Sequence, residues 1–203
     1  AELGDLEVKS HLDVVTGQFQ QAVDRALEGA TTGDLREGDV VLVTNGIYAS
    51  GGKVISDDLT NRVALTKPIT VLSVNGPGAT IIQGNWDANT NGPLAVRCAW
   101  LTNNAVLNGF TLQGGATRTT GVQYGGGVWG VSTQAVVMNC WIYTNAAASH
   151  GGGSYQVMLN RCRVIGNQSP YGGGAARCWL KNSLVSENFA SRGGGAFICD
   201  LDN

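Results

Sequence analysis

The apolar positions of this chain recur on a beat longer than any single strand or helical turn. In its second half the pattern reads apolar-x-x-small-x-apolar-x-x-Asn. It appears as Val137, Cys140, Ile142, Asn145, then Leu159, Cys162, Val164, Asn167, then Leu180, Ser183, Val185, Asn188. A second motif keeps the same time: glycine triplets stand at Gly125–Gly127, Gly151–Gly153, Gly172–Gly174 and Gly193–Gly195, in steps of 26, 21 and 21 residues. Upstream the frame weakens. Leu107, Phe110, Leu112 and Gly115 still fit it, and Ala95-Val96-Arg97-Cys98 aligns with Ala175-Ala176-Arg177-Cys178. Longer, less regular units lie around Ile69–Val74 and Val40–Thr44, with turns at Asn45-Gly46 and Asn75-Gly76.

A unit of this size is too short for two-helix repeats, which take about thirty residues or more. Glycine triplets would each cost a helix roughly 1 kcal/mol per residue, while Val, Ile, Thr and Cys suit strands. The several leucines per unit of a leucine-rich repeat are missing. The pattern therefore predicts an all-β chain, a right-handed parallel β-helix with a short N-terminal capping helix. Residues 1–37 form the cap, including a helix over 18–30 whose apolar face is Phe19, Ala22, Val23, Ala26 and Leu27. Residues 38–203 form the solenoid, with irregular rungs to about 105 and regular rungs from about 106.

Rungs stacked in register line up like side chains. Asn145, Asn167 and Asn188 are expected to form a ladder along the axis, since each amide both donates and accepts. Cys140, Cys162 and Ser183 should form an inward column. Cys98, Cys178 and Cys199 should share another, with Val131 and Val157 on the rungs between. The cysteines read as small buried hydrophobes, with a Cys178–Cys199 bridge as the alternative. The residues before the triplets, Tyr124, His150, Tyr171 and Arg192, should make an aromatic and cationic stripe along one corner, a surface suited to sugar rings or simply a cover for the corner backbone.

Composition narrows the function. The net charge is −2 and no Lys/Arg run occurs, so the electrostatic footprint of a nucleic-acid binder is absent. No apolar run is long enough to span a membrane. The five cysteines include no C-x-x-C pair, and neither His11 nor His150 stands near one at ligand spacing, so no metal and no cofactor is expected. A first residue of Ala rather than Met fits removal of an export signal, and equally any other trimming of the N-terminus.

With these motifs in hand, residues 38–203 resemble secreted bacterial right-handed β-helix proteins of the pectate-lyase-like superfamily. Gly194-Gly195-Ala196 and Val185-x-x-Asn188 resemble the Gly-Gly-Ala and Phe-x-x-Asn repeats of autotransported outer-membrane proteins. The resemblance implies a fold that hosts lyases, hydrolases, adhesins and passive scaffolds. The chemistry of the first two is hard to find. Asp57-Asp58 is the one acidic pair proposed for calcium, Glu187 and Asp200 sit too near the C-terminal end to face each other across a groove, and His150-Gly151 lacks neighbouring acids. The expectation is a non-catalytic, secreted or cell-surface structural or adhesive protein. Its partners are polysaccharide, or itself through an open last rung at Phe197, Cys199 and Leu201. A polysaccharide lyase or glycoside hydrolase is the rival; Arg97, Arg161, Arg163, Arg177 and Lys181, where they face outward, would meet an acidic polymer or simply keep the sheet soluble.

Overall fold

The computed structural model describes residues 10–12, 20, 21, 23, 24, 40–55, 58–86 and 91–202. Among them the strands form three sheets of eight, six and seven strands. Sheet A includes Val40–Val43, Thr70–Ser73, Val106–Asn108, Val136–Met138, Met158–Asn160, Trp179–Lys181 and Asp200–Asp202. Sheet B holds Gly46–Tyr48, Thr80–Gln83, Thr111–Gln113, Trp141–Tyr143, Arg163–Ile165 and Leu184–Ser186. Sheet C includes Thr60–Leu65, Val96–Leu101, Val128–Gly130, Ser154–Tyr155, Ala175–Ala176 and Ala196–Phe197. Neighbouring strands in each sheet are parallel and come from consecutive turns of the chain, except the short antiparallel strand Lys53–Val54 beside Thr60–Leu65. Each turn passes through C, A and B in that order. The result is an all-β, open stack with no closed barrel, consistent with a parallel β-helix.

The length of the unit follows from its corners. Left-handed backbone occurs at Gly151, Gln156, Arg161 and Gly166 on one rung, and at Gly172, Arg177, Asn182 and Glu187 on the next. A corner thus falls every fifth residue, with one six-residue side, and that makes the 21-residue beat. Glycine enters such backbone freely, whereas an L residue meets a steric cost of roughly 1–2 kcal/mol. The triplet has a second reason. Only its first glycine is left-handed, at φ 64° in Gly151. A Cβ on Gly152 would collide with the Gln168 carbonyl, and one on Gly153 would stand 2.6 Å from the Gly174 carbonyl. Backbone approaches backbone too closely there for any side chain.

Inside, Val137, Leu159 and Leu180 line sheet A, Ile142 and Val164 line sheet B, and Val128, Ser154 and Ala175 line sheet C. Cys140 and Cys162 are buried, while Ser183 and Val185 are half-buried on the last complete rung. Arg163 faces out and its neighbour Val164 faces in. Asn145 and Asn167 are fully buried. The Asn167 Oδ1 accepts from the Asn145 amide N–H at 3.0 Å and from its side-chain Nδ2 at 2.9 Å. Asn167 Nδ2 donates to the Ile142 carbonyl and to Asn188 Oδ1, both at 2.9 Å. Gly115 N–H donates to Asn145 Oδ1 at 2.7 Å, so the glycine rung joins the ladder as a donor. The buried amides of Asn145 and Asn167 thus find their partners on adjoining rungs, as burial demands.

Two expectations are corrected. Ala99, not Ala95, takes the place of Ala175: it pairs with Val128, which pairs with Ser154, which pairs with Ala175. Cys98 therefore leaves the Cys178–Cys199 column and lies under the Asn ladder, its thiol 3.5 Å from Asn145 Oδ1. That rung lacks a glycine triplet, so residue type misplaced the frame by four positions. Arg97 does not face outward but is fully buried. Of the helix expected over 18–30, only positions 20, 21, 23 and 24 are described, and they are helical. Val23 packs into the same core as the first rungs. Gln20 bonds both backbone groups of Ala64, which the short Lys53–Val54 strand leaves unpaired. The remainder of that helix lies outside the described residues.

Two stability measurements follow. Asn167→Ala strands the Asn145 donors on one rung and takes a donor from Asn188 Oδ1 on the next, and should cost roughly 2–4 kcal/mol in urea unfolding. A loss below half the smaller figure would show that water substitutes for the ladder. Thr144 is a β-branched residue at φ 50°, and the equivalent residues on adjoining rungs are Gly114 and Gly166. Thr144→Gly should therefore raise stability by about 1 kcal/mol; a lower denaturation midpoint would contradict the corner argument.

Candidate functional site

Strands of sheet C alternate, so the residues between the inward Val128, Ser154 and Ala175 point out. Trp100, Trp129, Tyr155, Ala176 and Phe197 make one column on the outer side of sheet C, each paired with the next; Trp100, Tyr155 and Ala176 are buried there, while Trp129 and Phe197 are half-buried. Tyr124, His150, Tyr171 and Arg192 bridge in register just before it. The two columns interleave. Tyr124 stacks on Tyr155 with centroids 4.7 Å apart, and His150 stacks on Tyr171 at 4.8 Å. Where Ala176 carries no ring, Tyr171 and His150 lean over the gap to meet Phe197 at 5.4 and 5.8 Å. Trp129 extends the surface and packs on the buried Trp100 at 5.9 Å. The stripe spans four rung spacings, about 19 Å.

Arg97 holds this surface from beneath. Its guanidinium donates to the carbonyls of Gly125 and Tyr124 at 2.8 and 2.9 Å and to Asn61 Oδ1 at 2.7 Å, and it lies 5.5 Å from the Trp129 ring. It fixes the turn that carries Tyr124 and is a positioning residue, not an outward cation. Arg161, Arg163 and Arg177 are exposed, while Lys181 is half-buried and paired with Asp202 at 3.2 Å. Of these, Arg177 borders the stripe. Burial and the Arg177 charge hold the His150 imidazole below its ordinary pKa. Burial pushes the Tyr155 phenol up, and Arg177 partly offsets it.

A groove of about 530 Å³ runs along the turn before the stripe, lined by Asn91, Thr119, Gln168, Ser169, Phe189 and Ser191 among others. Its wall leads into Ser149, whose Oγ lies 2.7 Å from His150 Nδ1. This Ser–His contact lacks the rest of an acyl-transfer site. The backbone N–H groups of Gly151, Gly152 and Gly153 donate to Tyr171, Gly172 and Gly173, so none is aimed at a developing oxyanion. No Asp or Glu occurs between Asp87 and Glu187 to orient the imidazole. Over that stretch the chain carries six basic residues, Arg97, Arg118, Arg161, Arg163, Arg177 and Lys181, while residues 1–87 hold twelve acidic ones. The rungs from Val96 to Ser186 thus carry basic side chains without acidic ones, while the rung of Phe197 carries Glu187 before it and Asp200 and Asp202 after it. Among the described residues no three His, Cys, Asp or Glu side chains are grouped as a metal would need. Asp58 is exposed, and Asp57 lies outside the described residues.

The expected end site is divided. The Phe197 ring belongs to the stripe and not to the axial opening, because its strand position points it outward. Leu201 is 67 % exposed above Leu180, and with Leu184, Val185 and Ala196 it rims an opening of about 360 Å³. Cys199 is half-buried against the core. Reading the sequence found the 124–150–171–192 column but missed its partner. The signal was present: the second residue after each triplet is Trp129, Tyr155, Ala176 and Phe197.

Proton NMR titration tests the electrostatics. The His150 midpoint should fall below the ordinary value of about 6.5, and Arg177→Gln should move it back up. Because the folded value is depressed, this residue's contribution to stability is present above the unfolded pKa and lost as pH falls toward the folded one. A midpoint unmoved by Arg177→Gln would remove the arginine from the stripe.

No protein family, no curated protein and no solved structure matches this chain at a significant level.

Proposed function

We propose that the chain is a non-catalytic, right-handed parallel β-helix of the cell exterior that binds an anionic glycan along the aromatic stripe. The observation that carries this reading is the double column of rings at rung spacing, bordered by Arg177 and lying, up to Ala176, on a stretch of sequence without carboxylates. Sugar rings present flat C–H faces that pack on aromatic rings, and a repeating polymer suits a repeating platform. The hand is assigned from the strong preference of parallel crossovers for right-handed turns. The pectate-lyase-like likeness enters as an analogy of fold, which does not carry function with it. The engaged Gly151–Gly153 amides and the lack of paired acids favour binding over catalysis.

Calorimetric titration with polygalacturonate, a sulfated polysaccharide and a neutral glucan is the direct experiment. The first two should bind and the third should bind much more weakly. Tyr171→Ala should weaken binding about tenfold or more, the loss of one well-packed aromatic contact, and Arg177→Gln should flatten its salt dependence. Equal binding to the neutral glucan, or none to any, would overturn the reading. Release of unsaturated, ultraviolet-absorbing products from the uronan would install the lyase in its place.

A further inference from the structure

Stacked cysteines occur twice in the solenoid, and their surroundings differ. Cys140 and Cys162 stack on adjoining rungs, flanked by the pairs Met138 with Asn160 and Trp141 with Arg163. Cys178 and Cys199 are flanked in the same way by Ala176 with Phe197 and Trp179 with Asp200. Pairing on both sides places each cysteine directly over its partner at one rung spacing, about 4.8 Å. That separation falls within the roughly 4.4–6.8 Å that a disulfide spans between Cα atoms. The backbone N–H of Cys178 lies 3.4 Å from the Cys199 sulfur, so the second thiol already sits against the first rung.

We propose that Cys178 and Cys199 close a reversible inter-rung disulfide when the chain meets a small disulfide oxidant, while Cys140 and Cys162 stay reduced.

Access separates the two pairs. Cys140 and Cys162 are buried, and burial pushes the Cys162 thiol up to about 12 and the Cys140 thiol higher still. Cys199 is half-buried, and the hydrogen bond from Cys178 brings its thiol down to about 7 against the opposing effect of burial. Burial raises Cys178. A thiolate is the attacking species in exchange, so Cys199 leads.

The steps balance. The Cys199 thiolate attacks one sulfur of oxidised glutathione, forming a mixed disulfide and expelling one glutathione thiolate. Cys178 gives its proton to solvent and attacks the Cys199 sulfur, breaking the mixed disulfide and expelling the second glutathione. Two protein thiols are oxidised, and one small disulfide is reduced to two thiols. The bridge would clip the rung that carries Phe197 to the rung below, tying one end of the aromatic stripe.

The experiment uses the whole 203-residue chain. It is incubated with oxidised glutathione, quenched in acid, alkylated and digested with trypsin. Free thiols should fall from five to three, and the peptide Cys178–Lys181 should appear joined to Gly193–Asn203. Cys178→Ser should stop at a stable glutathione adduct on Cys199, and Cys199→Ser should react at neither position. Five thiols remaining, a lasting adduct on Cys199 of the unaltered chain, or a bridge that includes Cys98, Cys140 or Cys162 would each overturn the proposal.

Discussion

Hydrogen bonding from one rung to the next is the constraint on which everything else rests. Strands of two or three residues cannot hold a sheet by themselves, and the corners between them bury polar backbone. The structure meets this by carrying the bonding through the corners as well as the strands. Gly152 N–H reaches Gly172, Asn145 N–H reaches Asn167, and Arg161 N–H reaches Lys181. Each rung is therefore incomplete without its neighbours. Fixing that register fixes which side chains stand in line, so the Asn ladder, the cysteine pairs and the aromatic columns all follow from one repeat.

The same constraint explains the glycine content. Where the chain turns from sheet B to sheet C, backbone passes backbone with no room for a Cβ, and three consecutive glycines result. At the other corners the space is open to solvent, so Arg161, Arg177 and Glu187 are tolerated there despite left-handed backbone. Their cost, roughly 1–2 kcal/mol each, is offset by rung-to-rung bonds on either side. Those corners in turn bring charged side chains to the surface, and one of them sets Arg177 beside the stripe.

Much of this was legible in the sequence. A ladder of identical buried amides and a triplet excluded from all but glycine leave residue-specific marks, so Asn145, Asn167 and Asn188 could be aligned by eye. The rung at Val96–Leu101 could not. It has neither mark, and its register is decided by bonds such as Ala99 N–H to the Gly127 carbonyl. Arg97 escaped for a related reason. A lone arginine reads as a solvated residue, and only the fold brings Asn61 and the Gly125 turn around it. The outward aromatic column was overlooked because two-residue strands are too short to display alternation, although the second position after each triplet repeats it.

The account stands or falls on whether ligand contacts follow the rung period across sheet C. Hydrogen–deuterium exchange of the chain with and without polygalacturonate measures this directly. The account predicts added protection in separate peptides around 124–129, 149–155, 171–177 and 192–197, with sheets A and B unchanged. Protection confined to the groove turn, spread evenly over all three sheets, or absent at saturating polymer would contradict it.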